Sequence, residues 1–237
     1  MSGRALADLV GTGPLLLDFD GPVCSIFAGY PAPRIAAKLV ALLDVEGVEI
    51  PPEVRSEGDP LAVLRWVGET CSLDMTTAVE RALCAAELQG AATATPTPFG
   101  HEVILGAHAR GIPVGVVSNN SAMAIEAYLM TYNLAAYVTP IVGRAYANPR
   151  RMKPDPGPVL DAARILGAEP GSCVLVGDSL SDIQAAHAAG VAAIGYANRA
   201  WKVDAFAGAE IVVTSMGDIA EVLSPLPTIP PRGIDLP

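Results

Sequence analysis

Three short aliphatic runs in this chain each break off at reactive polar residues. Leu15-Leu16-Leu17 stops at Asp18-Phe19-Asp20-Gly21, residues 113–117 stop at Ser118-Asn119-Asn120, and residues 173–176 stop at Gly177-Asp178-Ser179. A run without polar alternation suits a strand covered on both faces, as in a parallel sheet. Residues 191–196 and 211–213 add two weaker strands, and residues 121–133, 156–166, 181–189 and 215–223 carry helical patterning between them. Strand–helix alternation of this kind predicts an α/β fold with a doubly wound parallel sheet. In such sheets ligands bind outside the carboxyl ends of the strands, where these polar residues lie.

The spacing is uneven. Residues 18–112 separate the first run from the second, too many for a single crossover. Within them, residues 33–43, 60–72 and 75–88 have helical periodicity and few β-branched side chains, which predicts an all-helical insertion over residues 22–95. The Thr/Pro stretch at residues 93–98 reads as its return linker. The α/β core is then expected at 1–21 and 96–223. Residues 224–237 hold 5 of the 21 prolines and are expected to form an irregular tail.

At 51% hydrophobic and 17% charged residues the chain is too apolar for a disordered protein. A formal charge of −10 argues against a general nucleic-acid binder. Between residues 111 and 143 the only charge is Glu126, but Pro113, the polar run 118–121 and Asn133 interrupt the segment. No piece reaches the roughly 20 apolar residues of a membrane span. Cys24, Cys71, Cys84 and Cys173 form no C-x-x-C pair and no zinc-site spacing with histidine. These features predict a reduced, cytoplasmic protein with neither membrane nor nucleic acid as partner.

Asp18 and Asp20 are two residues apart and on a strand would project to one side. Asp178 adds a carboxylate at another strand end, with Asp182 one helical turn later. Converging carboxylates are the hard oxygen donors a Mg²⁺ site requires, although acidic residues also end strands as turn or cap residues. Ser118, just before a helix, suits a phosphate oxyanion as well as an N-cap role. Among the 15 basic residues only Lys38, Lys153 and Lys202 are lysines. Lys153, next to a proline and ahead of a helix, suggests a need for a compact ammonium.

Together, LLLDFDGPV, VVSNNS, RMKPDPGP and VLVGDSLSD resemble, in order, the four motifs of the haloacid dehalogenase (HAD) superfamily of phosphohydrolases. The resemblance covers about residues 12–23 and 96–222, and the insertion is similar to the helical cap of that superfamily's first subclass, as in its phosphoglycolate phosphatase-like members. It implies that Asp18 is the nucleophile and forms an aspartyl-phosphate. It implies that Asp20 is the general acid, then the base. Ser118, Asn119 (through its N–H) and Lys153 would hold the phosphoryl group. Asp18, the Asp20 carbonyl and Asp178 would bind Mg²⁺, with Asp182 ligating it or orienting its water. Pro22 departs from the Thr or Val of many relatives but removes no catalytic group.

Asp20 favours phosphate esters over carbon–halogen bonds, because the superfamily's dehalogenases typically lack an acid there. The implied activity is a Mg²⁺-dependent phosphatase acting on a small phosphorylated metabolite. Phosphoglycolate, sugar phosphates, nucleotides and biosynthetic phosphates all stay open, as does the oligomeric state. A phosphomutase of the β-phosphoglucomutase kind would use the same residues. A non-catalytic phosphate-binding relative would gain nothing from four carboxylates facing an anion. Gly177-Asp178-Ser179-Leu180 also spells a serine-esterase signature, but no histidine follows His187 to serve as its base. His101, His108 and His187 are expected at surface or cap positions and Cys24 as a packing residue. Leu64, Trp66 and Val67 are expected in the insertion's own core, and Ser25, Phe27, Tyr30 and Arg34 either reach the pocket or stay on the surface.

Overall fold

The aliphatic runs are strands of one parallel sheet. The computed structural model describes residues 3–11 and 13–224; apart from Ser224, the expected tail lies outside them. The chain opens with α1 (Gly3–Val10), β1 (Leu15–Leu17) and β2 (Cys24–Ser25). The helices α2 (Ala32–Val45), α3 (Pro52–Arg55), α4 (Pro60–Thr70) and α5 (Leu73–Ala91) follow, then β3 (Thr95–Pro96). Next come α6 (Gly100–Ala109), β4 (Val114–Val117), α7 (Ala122–Thr131), β5 (Ile141–Val142) and α8 (Gly157–Ile165). The last elements are β6 (Val174–Gly177), α9 (Leu180–Ala188), β7 (Ala192–Tyr196), α10 (Ala200–Ala205), β8 (Ile211–Val213) and α11 (Met216–Leu223).

Six strands pair in the order β5-β4-β1-β6-β7-β8, all parallel. The chain moves outward from β1 on one side and then returns to build the other, so the winding reverses beside β1. That reversal is the topological switch point at which open α/β sheets form their ligand crevice. Leu17 pairs with Val116 on one side and Val176 on the other, which brings the carboxyl ends of β1, β4 and β6 to one level.

The strand period of two sends alternate residues to opposite faces. Leu15 and Leu17 join Val103, Ile104, Ile125, Leu129 and Ile219, from α6, α7 and α11, in one buried cluster. Leu16 joins Val159, Ala162, Ile183 and Ala186, from α8 and α9, in a second. Both faces are covered, as continuous apolar strands require.

Helices α2–α5 form a third cluster of their own through Ile35, Leu39, Leu43, Val63, Leu64, Val67, Val79 and Leu83, with Trp66 half-buried against it. Their starts follow from the sequence. Asp59 accepts a hydrogen bond from Leu61 N (2.8 Å) ahead of Pro60 in α4, and Ser72 accepts from Met75 N (3.2 Å) in α5. The outgoing and returning chain pair as the antiparallel strands β2 and β3.

Several elements lack a sequence expectation, among them α3, α10, the short strands β2 and β3, α1 and β5. In α1, Leu6 and Val10 lie one turn apart and pack into the first cluster. The strand β5 is only Ile141-Val142, too short for any periodic signal.

Candidate active site

The three aspartates at the switch point are delivered by separate elements. Asp18 directly follows β1, and its N–H donates to Val176 O at 2.8 Å, extending the ladder by one residue. Asp178 directly follows β6. Asp182 is the third residue of α9 and closes a capping box with Ser179, accepting from Ser179 N (2.9 Å) and Ser179 Oγ (2.7 Å). One carboxylate oxygen from each of Asp18, Asp178 and Asp182 lies within 4.8 Å of the others. Three hard oxygen donors converging in this way fit a divalent cation such as Mg²⁺. Asp182 Oδ1 is buried without a directed hydrogen bond, its neighbour being the charge of Lys153 Nζ at 2.5 Å.

Two glycines make room for this cluster. Gly21 has φ +111°, and a Cβ there would lie 2.4 Å from Asp178 Cγ. A Cβ on Gly177 would lie 2.2 Å from Asp182 Cβ. The Asp-x-Asp-Gly and Gly-Asp pairings of the sequence are therefore steric requirements of close approach.

Lys153 is almost fully buried. Its Nζ lies 3.0 Å from Asp18 Oδ1 and 2.5 Å from Asp182 Oδ1, and donates to Val117 O at 2.7 Å. Burial alone would lower its pKa, but Asp18 and Asp182 outweigh that and raise it. Asn119 pins the lysine's backbone from the end of β4, its Oδ1 accepting from Lys153 N (2.8 Å) and its Nδ2 donating to Lys153 O (3.2 Å). Ser118 accepts from Asn120 N at 3.2 Å beside it.

Burial pushes the Asp18 carboxyl up to about 7, with Lys153 pulling down and Asp182 and Asp178 pushing further up. Burial likewise raises Asp20 to about 6, offset by the hydrogen bond that Ile26 N donates to Oδ1 at 3.0 Å. A carboxyl near 6 can both give and take a proton close to neutral pH.

All seven residues expected from the sequence, Asp18, Asp20, Ser118, Asn119, Lys153, Asp178 and Asp182, line one cavity of about 210 Å³. Phe27, Asp59, Leu61 and Arg65 of the helical insertion complete it. Arg65 Nη2 also donates to Lys153 O at 3.1 Å. Asp20 and Asp178 face a wider cavity of about 510 Å³ as well, together with Ser25, Asn198, Trp201 and Lys202.

Sequence reasoning missed Lys202 and Asn198. Lys202 Nζ contacts Asp178 O (2.6 Å) and Oδ2 (2.7 Å), and Asn198 Nδ2 donates to the same Oδ2 at 2.9 Å. The scarcity of lysine was the one available signal for Lys202. Tyr30 instead receives a hydrogen bond from Lys38 at 2.5 Å and is buried away from this cavity. None of the three histidines lines the site: His101 bonds Tyr128 (2.8 Å) and His187 pairs with Glu210 (3.2 Å). Burial raises the Cys24 thiol far above its ordinary value, which makes it a poor nucleophile.

Residues 57–190 match the haloacid dehalogenase-like hydrolase family. The chain is 34% identical over 118 residues to the phosphoglycolate phosphatase of Salmonella typhi, spanning 49% of this chain and 46% of that protein. The match to this curated relative thus covers under half of its length. Among solved structures, CbbY from Rhodobacter sphaeroides in complex with phosphate shares the fold with a TM-score of 0.65 at 20% identity, covering 86% of this chain and 94% of that one. A β-phosphoglucomutase from Clostridium difficile does so with a TM-score of 0.65 at 17% identity, covering 89% and 96%. Among the described residues, no helix is long and apolar enough to cross a membrane.

Proposed function

This chain belongs to the haloacid dehalogenase-like hydrolase family, and from that premise we propose that it is a Mg²⁺-dependent phosphatase of small phosphate monoesters. The observation that carries this reading is the convergence of Asp18, Asp20, Lys153 and the Ser118–Asn119 turn on one cavity at the sheet's switch point. In this reading residues 1–21 and 96–223 are the catalytic core and residues 22–95 the cap that closes over it. The protein works in the cytoplasm on a small phosphorylated metabolite, without membrane or nucleic acid. The partial similarity to a phosphoglycolate phosphatase, 34% identity over 118 residues, favours a small anionic ester as substrate.

The phosphoryl group would lie against Ser118, the Asn119 N–H and Lys153 Nζ, whose charge offsets its own. Asp18 attacks phosphorus, and the ester P–O bond breaks as the new P–O bond to the carboxylate forms. Asp20, with its raised pKa, gives its proton to the leaving alkoxide. It then takes a proton from the water that attacks the aspartyl-phosphate, and inorganic phosphate and free Asp18 result. Asp18, Asp178 and the Asp20 carbonyl would hold Mg²⁺, with Asp182 as ligand or water-orienting acid. When bound, the ion supplies charge neutralisation between an anionic nucleophile and an anionic ester.

A phosphomutase would differ only in what accepts the phosphoryl group from Asp18. Phosphate release from a panel of small esters, with Mg²⁺ and with chelator, tests the reading. Metal-dependent release that is absent in Asp18→Asn supports it. Conversion of a sugar monophosphate to its isomer, with no phosphate released from any ester, would replace it with the mutase.

A further inference from the structure

Behind the Ser118–Asn119 turn lies a buried ionic cluster that the chemistry above does not use. Arg144, just beyond β5, meets Glu80 and Glu87, two turns apart on α5. The side chains of Arg144 and Glu87 have no exposed surface and Glu80 has 1%. Taking charges this far from water costs several kcal/mol per ion, so such a cluster is a poor source of stability by comparison with well-packed apolar side chains. What it can supply is a fixed geometry.

The hydrogen bonds show what is fixed. Arg144 grips Glu80 through Nε (3.0 Å) and Nη2 (2.7 Å), and Glu87 through Nη1 (2.8 Å) and Nη2 (3.1 Å). Its Nη1 also donates to Asn119 O at 2.6 Å, and its backbone N–H donates to Asn120 O at 2.8 Å. Glu87 accepts from Asn120 Nδ2 (3.2 Å) and Ser121 N (3.0 Å). Asn120 in turn accepts from Ser118 Oγ at 3.2 Å. Every residue of the 118–121 turn is thus tied, directly or through one neighbour, to Arg144 or Glu87. Gly143 permits the approach, because a Cβ there would lie 2.4 Å from Ala122 N and 2.8 Å from Asn120 O.

We propose that Arg144 and Glu87 are positioning residues for the phosphate-binding turn, and that α5 of the insertion thereby forms part of the site's foundation. The helix has two working faces. Val79 and Leu83 pack into the insertion's own cluster, while Glu80 and Glu87 turn toward the sheet domain. The proposal rests on reading residues 118–121 as the phosphate cradle, and deepens that reading by locating what shapes it.

The test compares Glu87→Gln and Arg144→Met with Leu64→Ala, which empties the insertion's core without touching the cluster. The readouts on the full chain with Mg²⁺ are thermal unfolding, steady-state kinetics, competitive inhibition by inorganic phosphate, and amide exchange at Ser121. Glu87→Gln is nearly isosteric and keeps the experiment decisive if Arg144→Met does not fold. The expected result is that Glu87→Gln weakens phosphate inhibition and speeds Ser121 exchange by about tenfold or more, with KM rising further than kcat falls. Leu64→Ala should lose comparable stability yet leave phosphate inhibition within about threefold of wild type. Equal effects of the two variants on phosphate inhibition and Ser121 exchange would overturn the proposal, leaving the cluster a purely structural one. Wild-type protein that neither hydrolyses an ester nor binds phosphate would overturn it together with the activity reading, an outcome distinct from the first.

Discussion

Replacing Lys153 by Met removes one cation and strands two buried carboxylates. Lys153 and Asp182 are each 1% exposed at their side chains and Asp18 is 12% exposed, so water cannot take the ammonium's place. Removing one partner of a buried pair costs about 3–5 kcal/mol, because the remaining charge is uncompensated. The loss should depend on pH in a definite direction. Asp18 titrates near 7 in the folded protein, above its unfolded value of 3.8. A raised acid favours folding below its unfolded pKa, and that contribution is lost as pH rises through the folded value. Without Lys153 the folded value rises further, and the variant falls behind wild type increasingly between pH 5 and pH 8. Urea denaturation at both pH values measures the gap. A loss below about 1 kcal/mol at pH 8, or a gap that widens toward acid, would refute this account of Lys153.

Asp20→Asn should abolish turnover yet stabilise the metal-free protein. Burial lifts Asp20 from 3.8 to about 6, so at pH 8 its ionised form costs about 3 kcal/mol that asparagine avoids. Chemical denaturation should show that gain fading toward pH 4, and a destabilised variant at pH 8 contradicts it. Gly177→Ala should cost about 1–3 kcal/mol and most activity, because its methyl would overlap Asp182 Cβ, 2.2 Å away. Thermal unfolding at wild-type temperature would show that the aspartate gives way freely. Lys202→Met frees Asp178 from a contact at 2.7 Å and should raise the Mg²⁺ needed for half-maximal activity by about tenfold. An unchanged metal titration would make Lys202 a bystander.

The parts of the fold that could be read from the sequence are those with a local signature. Leu15–Leu17 and the runs ending at Ser118 and Gly177 are continuous aliphatic stretches, and parallel register then carries their following residues to one level. That is why Asp18, Ser118, Asn119 and Asp178 are legible in the sequence alone. Asp182, one helical turn past Asp178, and Lys153, beside a proline in a lysine-poor chain, carried weaker physical signals, and motif order gave them their roles. Lys202 and Asn198 reach Asp178 only because β7 pairs with β6, with Gly177 opposite Gly195. No local pattern announces that pairing. Arg144 lies 64 residues from Glu80 and 57 from Glu87, and each of the three reads as ordinary surface charge until α5 docks. The short elements α1 and β5 escaped for lack of length, since Leu6 and Val10 make a single turn of apolar spacing.

The central claim is that the phosphoryl group passes through Asp18. Acid quench of the wild-type protein during turnover of a radiolabelled phosphate ester, followed by peptide mapping, addresses it directly. The account predicts label on the peptide containing Asp18, base-labile as an acyl phosphate is, and, with an aryl ester whose leaving group needs no protonation, more of it accumulating in Asp20→Asn than in wild type. Steady phosphate release by the wild-type protein, with no label at Asp18 in either it or Asp20→Asn, would mean that water attacks phosphorus itself, and would contradict the mechanism.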